Sequence, residues 1–103
     1  MYRIVQKCEV RYGAFAQYAA AMEELNTIAR SRGWKEARCL VPIDGQSNRI
    51  VMELEYDSLD EYQREENAFY ADPEAMKVLR STVDLVVQGS AVTEILAPVP
   101  DLA

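Results

Sequence analysis

The 103 residues contain no histidine, so the side chain that most often moves protons or binds metals near neutral pH is missing. Chemistry falls to carboxylates, tyrosines, cysteines, amides and arginines. The best-supplied group is aromatic: Tyr12, Tyr18, Trp34, Tyr56, Tyr62, Phe69 and Tyr70. A tyrosine buries a large apolar ring while keeping a hydroxyl that needs a partner, which suits a site for a flat, partly oxygenated ligand. The same rings serve equally in ordinary core packing. Gln6 is the odd polar residue on an otherwise apolar strand face, and a sheltered amide must find a ligand, a water or a tyrosine hydroxyl. Gln6, Tyr12, Tyr18, Trp34, Tyr56 and Phe69 are therefore the candidate ligand-binding residues, with no catalytic residue assigned.

Other constellations carry less. Glu53 and Glu55 share a strand face, roughly 7 Å apart, and paired carboxylates can do acid–base work or hold a cation. Arg3 and Lys7 are placed to neutralise them, and no third acidic ligand is in register, so neither metal nor cofactor is expected. Asp60, Glu61, Glu65 and Glu66 with Arg64 form a solvated helix face, and Arg38 is an ion-pair partner on the charged face of its strand. Cys8 and Cys39 are too few for a disulfide scaffold and fit as small core residues. Nucleophile elbow, phosphate loop and Cys-x-x-Cys patterns are all missing from the sequence.

Eleven Lys and Arg against seventeen Asp and Glu leave a net charge of −6, which repels phosphate backbones and anionic membranes. No segment approaches the twenty apolar residues of a bilayer span. The expectation is a soluble, cytoplasmic protein with no nucleic-acid or membrane partner.

These residues must be positioned by local structure. Tyr2 to Tyr12 alternates with period two, a strand with Tyr2, Ile4, Cys8, Val10 and Tyr12 on one face. Phe15 to Arg32 switches to helical spacing and closes on Gly33. Ala37 to Ile43 and Arg49 to Asp57 form a hairpin around Asp44–Asn48, with Pro42 tolerated near an edge. Two helix starts follow: the capping box of Ser58 and Glu61, then Asp72, Pro73 and Glu74. The second helix continues through Val83 and Val86 to Gly89, and Ala91 to Leu96 is a last strand.

The order βαββααβ folds most economically as an α+β, ferredoxin-like domain. Its four-stranded antiparallel sheet has order 4-1-3-2, with the helices on one face. Residues 1–97 form this single domain and 98–103 a C-terminal tail or strap. Pairing strands one and three with an index sum near 58 sets Arg3 against Glu55 and Glu9 against Arg49, and Ile4 against Leu54 on the other face. The face left open is mixed, and is either solvated or packed on a second copy across a two-fold axis.

The run Met52-Glu-Leu-Glu-Tyr-Asp-Ser-Leu-Asp-Glu-Tyr62, with Phe69-Tyr-Ala-Asp-Pro-Glu74 and Val92-Thr-Glu-Ile-Leu96, resembles the second half of the NIPSNAP-like branch of the dimeric α+β barrels. The resemblance implies a homodimer whose two sheets close into a barrel, with a pocket in each subunit between sheet and helices. It implies either binding of a small apolar or aromatic molecule, or a cofactor-independent enzyme of monooxygenase or isomerase type on an aromatic or polyketide-like substrate. In the enzyme reading, Tyr12 or Tyr56 with Gln6 would polarise or deprotonate the substrate. The missing histidine departs from the haem-binding and monooxygenase branches.

Overall fold

The computed structural model describes residues 1–45 and 47–102. Gln46 of the expected hairpin loop and Ala103 of the expected tail lie outside them. The elements are β1 (Tyr2–Glu9), α1 (Phe15–Arg32), β2 (Arg38–Leu40), β3 (Arg49–Tyr56), α2 (Leu59–Ala71), α3 (Pro73–Ser81) and β4 (Val92–Leu96). One antiparallel sheet of order β2-β3-β1-β4 carries them, an α+β ferredoxin-like layout.

The central register has the anticipated index sum: Arg3 faces Glu55, Ile4 faces Leu54, Cys8 faces Ile50 and Glu9 faces Arg49. A slip of one residue would turn Ile4 and Cys8 out to water and bring Arg3 and Lys7 inward, so burial of one face holds the register. On that face Ile4, Cys8, Ile50 and Tyr56 are buried, and Cys8 and Ile50 pack with Tyr18, Met22 and Ile28 of α1 and Val78 of α3. The opposite face carries Arg3, Val5, Lys7, Glu53, Glu55 and Glu94. Arg3 lies 2.8 Å from Glu55 and 3.5 Å from Glu53, and Arg38 lies 3.8 Å from Glu53. Lys7, expected beside Glu53, pairs instead with Glu94 of β4 at 3.1 Å, while Glu53 on β3 is met by Arg3 and Arg38.

The helix boundaries follow their caps. Gly33, at φ 75°, ends α1 in the left-handed region where a Cβ is strained. Ser58 Oγ accepts from the Glu61 amide and Asp72 Oδ1 from the Ala75 amide, opening α2 and α3.

Four expectations need correction. β1 stops at Glu9, not Tyr12: the Val10 amide donates to Asn48 and the Arg11 amide to Leu85, and Gly13 at φ 88° turns the chain away. β2 spans only Arg38–Leu40, since both backbone groups of Ala37 are bonded to the Asn26 side chain and Pro42 has no N–H to donate. α3 ends at Ser81, where the Ser81 and Thr82 hydroxyls bond the Val78 and Leu79 carbonyls. Val83–Leu85 is a separate 3₁₀ turn with Val83 exposed. Cys39 is exposed on the edge strand, not a core residue like Cys8.

Candidate functional site

Between the sheet and the helices lies a cleft of about 190 Å³. Its floor is Gln6 from β1 with Met52, Leu54 and Tyr56 from β3, all on the helix-facing side of the sheet. Tyr18, Met22, Leu25 and Asn26 of α1 form one wall, and Tyr62, Glu65, Glu66 and Phe69 of α2 form the other. Trp34 closes the end where α1 gives way to β2, its ring edge-on to Phe69 with centroids 6.4 Å apart. Of the six candidate residues the structure brings five together, namely Gln6, Tyr18, Trp34, Tyr56 and Phe69. Tyr12 is not among them. Carried past the end of β1 into a turn, it is 82% exposed.

The polar groups of the cleft differ in how they are committed. Asn26 is fully used: its amide donates to the Ala37 carbonyl at 2.8 Å and its oxygen accepts from the Ala37 amide at 2.9 Å, clamping α1 to the entry of β2. The Tyr18 hydroxyl accepts from the Cys8 thiol at 3.4 Å; burial, with Cys8 beside it, raises its pKa. The Tyr56 hydroxyl donates to Glu65 Oε1 at 3.0 Å, and burial plus that carboxylate raises its pKa above the ordinary range. Tyr62 is pushed up to about 12, mainly by burial and then by its hydrogen bond to Glu66. Burial thus favours the neutral, protonated form of all three phenols. No described residue hydrogen-bonds the Gln6 side-chain amide, which faces the cleft uncommitted.

The sequence pattern places Glu65 and Glu66 on a solvated helix face, and the structure turns both into the cleft wall. The signal was available: positions 65 and 66 lie three and four residues after Tyr62 and four and three before Phe69, on the stripe those aromatics define. Glu65 Oε1 also accepts from the Lys35 amide at 2.8 Å, joining α2 to the segment after α1. A second hollow of about 210 Å³ lies between α1 and β2, sharing Met22, Asn26 and Cys39 with the first. Apart from Glu23 and the spent Asn26 its lining is apolar. Cys39, exposed over the residue as a whole, lines this hollow, and partial desolvation raises its thiol pKa. Among the described residues no group of His, Cys, Asp or Glu is arranged to hold a metal ion, and no helix is long and apolar enough to cross a membrane.

The family model described as NIPSNAP matches residues 9–103. The chain belongs to the NIPSNAP family. Among solved structures, a NIPSNAP family protein of unknown function from Agrobacterium tumefaciens superposes with a TM-score of 0.77 at 22% identity, over 95% of this chain and 87% of that one. An uncharacterised NIPSNAP domain protein from Burkholderia xenovorans gives 0.78 at 15% identity, over 95% and 94%. A putative antibiotic biosynthesis monooxygenase from Nitrosomonas europaea gives 0.74 at 11% identity, over 96% and 99%. At such identities the likeness is one of fold. No curated protein matches the sequence.

Proposed function

We propose that this NIPSNAP protein is a homodimer that binds a small apolar or aromatic molecule in the cleft between sheet and helices. The observation that carries the reading is the composition of the cleft: Trp34, Phe69, Tyr18 and Leu54 surround the uncommitted Gln6 amide in about 190 Å³. An apolar cavity near 150 Å³ accepts a benzene ring, so the volume suits one substituted ring. Trp34 is the sole tryptophan and lines the cleft, so its fluorescence reports occupancy. Titration with monocyclic aromatics should shift that emission saturably in the wild type, and Leu54→Phe, which fills the space, should abolish the response. An unchanged spectrum across such a panel would refute the proposal.

The pairing is supported by the open sheet face. Leu40, Val92 and Leu96 stand exposed beside the ion pairs of Arg3, Lys7 and Arg38, a mixture that a second sheet would cover.

A second reading, a cofactor-independent enzyme on an aromatic or polyketide-like substrate, is favoured by one feature: a carboxylate, Glu65, set beside a neutral phenol within the cleft. Oxygen uptake or isomerisation of phenolic or quinol substrates, lost in Glu65→Gln, is its measurement.

A further inference from the structure

Glu65 differs from six carboxylates of the sheet and the helix ends that are held by cations. Glu53, Glu55, Glu94, Glu36, Asp72 and Glu74 each lie within 4 Å of an arginine or lysine nitrogen. Among the described residues no cationic nitrogen comes that close to Glu65. The one cationic side chain of the lining, Lys35, sends its ammonium to Glu61 at 3.9 Å and offers Glu65 only its backbone N–H. Two neutral donors thus hold Oε1, the Lys35 amide at 2.8 Å and the Tyr56 hydroxyl at 3.0 Å. They fix the plane of the carboxylate and leave Oε2 with no hydrogen-bond partner among the described residues. The neighbouring Glu66 is engaged by Tyr62 and adds a second negative charge to the same wall.

A carboxylate in that state discriminates by chemistry. An anionic ligand would meet two carboxylates with no guanidinium or free ammonium to answer its charge, so aryl acids and phosphate esters are rejected. A hydrocarbon would cover Oε2 without satisfying it and meet the desolvation cost of the charge. A ring bearing an O–H or N–H donor does neither. Across the cleft the Gln6 amide supplies both a donor and an acceptor for a polar substituent at the far side of the ring.

Resting on the cleft as the binding site, we infer that Glu65 is the ligand-orienting residue. Its carboxylate accepts a hydrogen bond from a neutral phenolic or anilinic donor on a single aromatic ring held among Trp34, Phe69 and Leu54.

Isothermal titration calorimetry with three para-substituted toluenes tests this on the wild type alone: 4-methylphenol, its methyl ether 4-methylanisole, and 4-methylbenzoate. A charge-assisted hydrogen bond predicts that the phenol binds about tenfold or more tightly than the ether, and that the benzoate does not bind. In Glu65→Gln, checked for folding by circular dichroism, the advantage of phenol over ether should shrink several-fold and the benzoate should begin to bind. In Tyr56→Phe, where the Lys35 amide still holds the carboxylate, the preference for phenol should persist. Equal affinity of phenol and ether in the wild type, or an unaltered ratio in folded Glu65→Gln, overturns the role of Glu65 and leaves the cleft standing. Binding of none of the neutral probes overturns the cleft itself, and this inference with it.

Discussion

The hydrogen bond between Tyr56 and Glu65 shows how one pair shapes both stability and chemistry. Tyr56 is buried and donates to a charged acceptor, so Tyr56→Phe should destabilise the fold by about 1–2 kcal/mol in urea unfolding. The pH dependence has a definite sign. A tyrosine whose pKa is raised on folding holds its proton in the native state after the unfolded chain has released it. Its stabilisation is therefore complete below pH ~10 and is lost as pH rises through the folded value. Wild-type stability should decline above pH 10, and more steeply than that of Tyr56→Phe; identical slopes would show that this hydroxyl is not the group held neutral. At this scale the sequence exposed the residue types but not their orientation. Tyr12 and Tyr56 both sit near strand ends, yet only Tyr56 remains within the ladder, opposite Tyr2. Tyr12 leaves the sheet because Leu85 and Asn48 capture the amides just before it.

Among the elements, the junction of α2 and α3 concentrates local signals. Ser58→Ala removes the acceptor for the Glu61 amide and should cost about 1 kcal/mol in chemical denaturation. Asp72 has two tasks, capping α3 and meeting Arg32 of α1 at 2.9 Å. Arg32 first, and then the helix-start amides, hold its pKa below the usual carboxylate range. That contribution is present above the unfolded carboxylate pKa of about 3.9 and disappears as pH falls through the folded value. Asp72→Asn, which keeps a capping oxygen but not the charge, should lower Tm at neutral pH, and the gap to wild type should close in acid. A constant gap would show that shape, not charge, holds the junction. The caps were legible because each acts over three residues. The ends of β2 and α3 were not, because Asn26 claims Ala37 across eleven residues and the hydroxyls of Ser81 and Thr82 turn back on the helix.

For the molecule as a whole, the proposed pairing of two sheets makes a hydrodynamic prediction. Sedimentation velocity at micromolar concentration should give twice the 11.7 kDa chain mass. The double variant Leu40→Asp, Leu96→Asp, whose positions are 39% and 46% exposed in the single chain, should dissociate without unfolding. A stable wild-type monomer would leave the open face to solvent and remove the barrel. By itself the sequence determined the element order, the helix caps, the register of β1 on β3 and the resemblance that the NIPSNAP match bears out. Period, cap and charge pairing are written in residues a few positions apart, or directly opposite once two strands meet. Spacing from Tyr62 and Phe69 hinted at the side of α2 that carries Glu65 and Glu66, but only the tertiary structure decided that this side lines a cleft and that Tyr12 leaves it. The roll of a helix against a sheet and the last bonded residue of a strand are set by distant backbone groups competing for the same partners, and a turn of one position moves a side chain from solvent to cavity.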